Sequence, residues 1–203
     1  MAKPKQPGKN KRRVKGRILI LCNGKTEEYY FKFLKSRLPK TVRQAVDVKV
    51  NRSKKPDLVS LVNEAARKKD KAEKESNPFD EIWLVFDHDN DSHIQEVFIQ
   101  ANTYQFKIAH SCICLEQWFL LHFEENNARF HHCENAEKAL QKHYQQYQKP
   151  GDEQFYNLLY KNQQNAIERA KILEKNSPPD KEFHAIQPCF TIYKLVEKLE
   201  KLK

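Results

Sequence analysis

The chain has 203 residues, of which 39% are hydrophobic and 32% charged, so it is long enough for one globular domain with a substantial core and a heavily charged surface. No apolar run approaches the length that spans a bilayer, and no apolar signal-peptide core stands near the N-terminus; we therefore expect a cytoplasmic protein without membrane contact. Five cysteines, an odd number without a disulfide-like spacing, predict reduced thiols.

The net charge of +10 is concentrated near the N-terminus. Residues 1–17 contain eight of the 37 basic residues and none of the 27 acidic ones, so the rest of the chain is nearly neutral. We expect residues 1–16 to form a basic arm that is disordered on its own and binds the phosphate backbone of nucleic acid. The alternative is a solubilising tail. The residues expected to contact phosphates are Lys9, Lys11, Arg12, Arg13 and Lys15.

Strand and helix patterns alternate along residues 17–125. The predicted strands are 17–22, 46–51, 82–86 and 104–114. The predicted helices are 29–38, 56–74, 92–102 and 115–124. This alternation indicates a parallel sheet covered by helices on both faces. In the remaining residues, 126–203, the sequence pattern predicts only helices, at 135–147, 154–160, 163–175 and 189–202. We interpret it as a helical extension packed on the same domain.

An apolar run at 82–86 ends abruptly in acidic residues. Asp87 and Asp89 follow it at a spacing of two, which places both side chains on the same side of an extended chain. Ligands of open α/β sheets bind outside the carboxyl ends of the strands. Two neighbouring carboxylates repel each other unless a cation lies between them, and Mg²⁺ (or Mn²⁺) suits such a pair. The alternative is an acidic turn in which both residues cap the next helix.

The first strand leads into the segment 23–27, a tight turn followed by the start of a helix. Thr26 is predicted as the N-cap, and Glu27 suits the positive end of the helix dipole; for Glu27, helix capping alone is the other interpretation. Because parallel strands end at the same edge, we expect the residues after strands one and three to converge. These residues are Asn23, Glu27, Asp87 and Asp89.

Three further groups leave alternatives open. Glu116 lies in the apolar helix 115–124, where it is either a buried, partnered carboxylate or an exposed one. Residues 29–31 could stack on bases, although helix packing explains at least two of them better. A zinc site is disfavoured because the candidate ligands lack a paired Cys-x-x-Cys spacing. Those candidates are Cys112, Cys114, His131, His132 and Cys133.

The chain resembles the RloB-like family over nearly its whole length, through the segments ILILCNGKTEEYYF, WLVFDHDN, AHSCICLEQWFLLHF and FTIYKLVEKL. That family belongs to the Toprim superfamily, with topoisomerases, bacterial primases and OLD-type nucleases. The resemblance implies a Toprim-like four-stranded parallel sheet flanked by helices. It also implies Mg²⁺-dependent chemistry on nucleic acid phosphates and a role, with a possible protein partner, in bacterial defence against phage such as abortive infection.

The family pattern ends the first strand with Glu-Gly-x-Thr-Glu, to which residues 23–27 correspond. The resemblance implies metal ligands at Glu27, Asp87 and Asp89 and supporting roles for Ser111 and Glu116. Because Lys25 is next to this site, we expect it to attract the nucleic acid backbone together with the basic arm. Asn23 departs from the pattern, since the family has a glutamate there that is expected to act as general base or metal ligand. A neutral amide cannot accept a proton usefully near pH 7, which predicts impaired activity.

The sequence therefore supports a metal-dependent nuclease acting on DNA or RNA, including tRNA as a candidate substrate. A catalytically inactive nucleic-acid-binding or sensing protein with a one-metal site is the second interpretation. A third is a phosphatase-like enzyme with Asp87 as nucleophile. It is disfavoured because the acidic strand of such enzymes normally comes early in the chain, whereas here it is the third strand.

Overall fold

The computed structural model describes residues 16–88, 92–126, 128, 130–176 and 190–203. Four strands form one all-parallel sheet in the order β2-β1-β3-β4, which confirms the predicted α/β fold. The strands are β1 (Arg17–Cys22), β2 (Asp47–Arg52), β3 (Glu81–His88) and β4 (Lys107–Cys112). The arm residues 1–15, and with them Lys9, Lys11, Arg12, Arg13 and Lys15, lie outside the described residues, as does Asp89.

Burial along the strands follows their positions in the sheet. All six residues of β1, one of the two inner strands, are buried, as a strand covered on both faces requires. In β2, at one edge, buried Val48 and Val50 flank exposed Lys49, which is the alternation of a half-covered strand. Strand β3 continues through Asp87 and pairs it with Ser111 of β4. The acidic residue therefore belongs to the strand itself and is not in the turn that follows.

Helices cover both faces of this sheet. They are α1 (Lys25–Ser36), α2 (Lys40–Ala45), α3 (Leu58–Lys74), α4 (Ile94–Thr103), α5 (Leu115–Leu120), α6 (Cys133–Gln141), α7 (Glu153–Lys161), α8 (Gln163–Lys175) and α9 (Ile192–Glu200). The predicted cap Thr26 is wrong, because α1 already begins at Lys25, with Gly24 at its N-cap and no side-chain cap. None of the described helices has both the length and the apolar character to cross a membrane.

Among the described residues, the hydrophobic core has two large clusters, one on each face of the sheet, and a small third one of Ile113, Cys114 and Ala136. On one face, Leu21 of β1 packs with Leu61 of α3 and Val97 of α4. On the other face, α1 and α5 share a cluster with the C-terminal helices, and this cluster includes Tyr30, Trp118, Phe155 and Leu195. Each fully buried large apolar side chain stabilises the fold by about 1.5–3 kcal/mol, so the C-terminal helices contribute substantially to the core.

The chain returns to the sheet after the segment 177–189. Phe190 forms an antiparallel bridge with Ser111 at the end of β4. Beside it, the backbone N–H of Thr191 donates to the carbonyl of His110 at 2.9 Å, and the N–H of His110 donates to Thr191 Oγ1, also at 2.9 Å. These bonds fix the end of β4, which carries Ser111 toward the carboxyl edge of the sheet.

Candidate metal site at the carboxyl edge of the sheet

Strands β1 and β3 are neighbours, and their ends form the base of a cleft. Beyond the end of β1, the N–H of Asn23 donates to the carbonyl of Val85 in β3 at 2.8 Å. The chain then turns into α1, whose first turn carries Glu27, with only 4% of its surface exposed. The structure thereby brings Asn23, Glu27 and Asp87 together. The cleft has a volume of about 430 Å³ and is lined by Asn23, Gly24, Lys25, Thr26, Glu27, Pro56, Leu58 and Asp87.

Gly24 allows the carboxylate of Glu27 to occupy its place in the cleft. A Cβ atom at position 24 would lie 2.9 Å from Cδ of Glu27, closer than carbon atoms normally approach. Any larger residue would displace the Glu27 side chain, because the far end of a glutamate moves more easily than the backbone. The glycine in the turn therefore leaves room for the close approach of this carboxylate.

The carboxylate of Asp87 is oriented from the neighbouring strand. Ser111 Oγ donates a hydrogen bond to Asp87 Oδ1 at 2.7 Å, and the two residues face each other in the β3–β4 register. Ser111 is fully buried. Since a buried serine has few competing partners, this hydrogen bond holds Asp87 in one position at the edge of the cleft.

Glu116, at the start of α5, is a third carboxylate near the cleft. Only 1% of its surface is exposed, so of the two interpretations of Glu116, the one that places it on an exposed helix face is wrong. Tyr147 donates its hydroxyl to Glu116 Oε1 at 2.7 Å. The amine of Lys149 lies 3.4 Å from Glu116 Oε2 and 2.9 Å from Glu137 Oε1. Glu116 is thus a buried carboxylate with its own hydrogen bond and cation.

Burial is the main reason that the ionised forms of these three carboxylates are disfavoured. Burial, followed by the charge of Glu116, raises the pKa of Glu27 to about 6. Burial also raises the pKa of Asp87 well above its ordinary value, and the charge of Glu27 adds to this. For Glu116, burial raises the pKa while Lys149 and Tyr147 act against it. In the metal-free protein the ionised carboxylates of the cleft are therefore disfavoured, and a bound cation would favour them.

The amide of Asn23 supplies an independent test of whether a metal ion fits. Its Oδ1 atom is buried and has no hydrogen-bond partner among the described residues. Leaving a buried carbonyl oxygen without a partner costs about 1–3 kcal/mol, so such atoms usually have one. Carboxylate and amide oxygens are the ligands that Mg²⁺ and Mn²⁺ prefer. The residues present therefore fit a hard divalent cation held by Glu27, Asp87 and the Asn23 oxygen.

Sequence reasoning missed the partners of Glu116. Tyr147 and Lys149 lie in the connection between α6 and α7, which carries no motif. The available signal was indirect: a carboxylate in an apolar helix needs a partner if it is buried.

Among the residues expected near nucleic acid, Lys25 is exposed at the cleft, where its Nζ atom lies 5.6 Å from the centre of the Tyr29 ring. Tyr30 and Phe31 are buried in the core.

The expectation of reduced thiols is wrong for Cys114 and Cys133, which form a disulfide. The turn after β4 and the start of α6 meet there, with Cα atoms 5.8 Å apart, although 19 residues separate them in sequence. Of the described cysteines, Cys22 has a free thiol, and it is buried. The two bonded sulfur atoms lie near the Glu116 carboxylate. Sulfur atoms bonded to each other are not thiolate ligands, so this arrangement does not favour zinc.

The raised pKa of Glu27 makes the stability of the metal-free protein depend on pH. The ordinary pKa is 4.5 and the folded value about 6, so the unfolded chain releases this proton at lower pH. Ionisation therefore opposes folding as pH rises through this interval. We therefore compare the free energies of unfolding of Glu27→Gln and of the native protein, measured with urea in EDTA. We expect the value for the variant minus the value for the native protein to increase by about 1 kcal/mol between pH 5 and pH 7.5.

The native protein and the variant must be compared because another group titrates with the opposite effect. Burial lowers the pKa of His122 to about 3, so protonation of the unfolded chain destabilises the fold as pH falls below about 6.5. His122 is present in both proteins and cancels in the difference. An identical pH dependence for the two proteins would contradict the proposed environment of Glu27.

A family model described as RloB-like protein matches residues 18–199, from β1 to α9. The match includes every described residue of the cleft. Neither the curated proteins nor the solved structures contain a match to this chain.

Proposed function

Because the chain belongs to the RloB-like family, we propose that it is a nuclease of the Toprim type that uses Mg²⁺ (or Mn²⁺) to hydrolyse phosphodiester bonds in DNA or RNA, tRNA among the candidates. Its biological role would be bacterial defence against phage, with a protein partner as a candidate trigger. The observation that carries the proposal is the meeting of Glu27, Asp87 and the unpartnered Asn23 oxygen in one cleft.

Each residue of the cleft has a distinct part in this function. Glu27 and Asp87 would hold the metal ion, with Ser111 fixing the orientation of Asp87 through its hydrogen bond. When bound, the ion would polarise a phosphate oxygen and stabilise negative charge on the leaving oxygen. Glu116 is paired with Lys149 and does not line the cleft, so it would support the site from behind without binding the ion directly. Lys25, exposed at the mouth of the cleft, would attract the phosphate backbone.

Asn23 favours a second candidate function. It stands at the end of β1, where the family pattern has a glutamate, and its neutral amide cannot remove a proton from water near pH 7. A site with one carboxylate fewer also offsets less of the charge of a second metal ion. The second candidate is therefore a nucleic-acid-binding or sensing protein that has a one-metal site and does not cleave.

The two functions are separated by incubation with labelled DNA, single-stranded RNA and tRNA in Mg²⁺, in Mn²⁺ and in EDTA. The nuclease proposal expects shorter products with either metal ion and none in EDTA. Binding that persists in EDTA, with no cleavage under any condition, would support the second function. Equal cleavage with and without EDTA would contradict metal dependence.

A further inference from the structure

A second cleft, lined mainly by basic residues, shares a segment of chain with the cleft that Glu27 and Asp87 line, which we call the acidic cleft. It is formed by the connection between β2 and α3 together with one face of α3, and its volume is about 270 Å³. The residues that line it are Lys54, Lys55, Ser60, Glu64, Arg67, Lys68 and Lys71. Five of these seven are cationic at neutral pH and one is acidic. We call it the basic cleft.

The one acidic residue of the basic cleft is occupied by structural contacts. Glu64 is 8% exposed, and its Oε2 accepts hydrogen bonds from the backbone N–H of Lys54 at 3.0 Å and from Ser53 Oγ at 3.2 Å. Its Oε1 lies 3.4 Å from the amine of Lys68. Glu64 therefore neutralises Lys68 and anchors the connection that presents Lys54 and Lys55.

The other four cations remain available to a ligand. Lys54, Lys55, Arg67 and Lys71 are all exposed. Within the described part of the chain, the first three form no ion pair with a carboxylate, and Lys71 lies 3.9 Å from the exposed carboxylate of Glu75. An exposed pair of this kind contributes little to stability, so Lys71 can exchange its partner for a phosphate.

The two clefts share one segment of chain. Pro56 and Leu58 line the acidic cleft, while Lys54, Lys55 and Ser60 line the basic cleft. An extended strand of nucleic acid with a phosphate at the acidic cleft could therefore place its neighbouring phosphates on α3. Such an open groove of separate cations suits a polymer of phosphates, which gains from several contacts at once.

We propose that the basic cleft binds the phosphate backbone of single-stranded nucleic acid and directs it into the acidic cleft. The proposal rests on the proposed function, because it gives the path by which the substrate of that site arrives. It places the binding of the substrate on Lys54, Lys55, Arg67 and Lys71.

The test is binding of fluorescein-labelled single-stranded RNA, and of DNA of the same sequence, by the full chain in EDTA at several salt concentrations. The test variant carries Lys54→Ala, Lys55→Ala, Arg67→Ala and Lys71→Ala. A matched control removes four exposed lysines outside both clefts, through Lys40→Ala, Lys161→Ala, Lys175→Ala and Lys201→Ala. Both variants lose four positive charges, so a general effect of net charge would weaken them equally.

We expect the test variant to bind about tenfold or more weakly than the native chain. Its affinity should also depend less on salt: the negative slope of log affinity against log salt should become shallower by about 2 to 3. The control should lose less than about threefold. Equal losses of affinity in the two variants would overturn the proposal that the basic cleft binds nucleic acid. Absence of binding by the native chain would overturn it as well. Failure of the proposed nuclease function would give a different result. The native chain would then cleave no substrate with any metal ion, while the variant of the basic cleft would still bind nucleic acid more weakly than the native chain.

Discussion

Asp87→Ala should abolish metal-dependent cleavage, with a loss of about 100-fold or more in rate, the scale seen when a group that stabilises charge in a transition state is removed. Asp87 is held at the edge of the cleft by Ser111. Without Asp87, a metal ion would lose one of the two charged ligands that the described residues offer, the other being Glu27. The rate is measured on the nucleic acid that the native protein cleaves, in Mg²⁺ and in Mn²⁺.

The same variant should remain folded, which separates a catalytic effect from a structural one. Burial and the charge of Glu27 raise the pKa of Asp87, so its carboxylate is destabilised in the metal-free fold. We therefore expect a melting temperature in EDTA equal to or above that of the native protein. Glu168→Ala, which removes an exposed carboxylate on α8, is the matched control and should cleave normally. Unchanged cleavage by Asp87→Ala would contradict the proposed mechanism.

Asn23→Glu should raise both the affinity for Mg²⁺ and the nuclease activity, by about tenfold or more in affinity. The change replaces a neutral oxygen with a carboxylate at the end of β1, beside Glu27 and Asp87. In EDTA, the same added charge should destabilise the fold, because a further carboxylate then enters a cleft whose acids already repel one another. Metal affinity is measured by calorimetry and activity on the same labelled substrates.

Asn23→Gln is the matched control for this experiment. It has the length of glutamate but keeps a neutral amide, so it tests size without charge. A Glu variant that binds Mg²⁺ no better than the Gln variant would show that position 23 does not contribute to the metal site. If the Glu variant binds better and still does not cleave, the second function gains support, since metal affinity alone would not have been limiting.

The sheet was predictable because strand and helix patterns alternate in the sequence. The run 17–22 is apolar at nearly every position, and it forms the inner strand β1 with those bounds. Because parallel strands end at one edge, the same pattern predicts that Asn23, Glu27 and Asp87 lie near each other. Their meeting in one cleft follows from strand order, which right-handed crossovers restrict strongly.

The remainder of the site depends on contacts between distant segments, which local patterns do not specify. Nothing in the sequence around Tyr147 or Lys149 indicates that these residues reach Glu116, since the contact depends on how α6 and α7 pack. The disulfide of Cys114 was missed for the same reason, because its partner is 19 residues away. Thr26 was misassigned as a cap because Gly24, at the N-cap, offers no side chain to reveal the helix start.

The most direct test is a crystal structure of the protein grown with Mn²⁺, in which anomalous scattering locates the ion. The account predicts an ion in the cleft, bound by the carboxylates of Glu27 and Asp87 and by Oδ1 of Asn23, at about 2.0–2.2 Å. A structure in which Mn²⁺ at saturating concentration lies elsewhere, or in which the Glu27 side chain points away from Asp87, would contradict it.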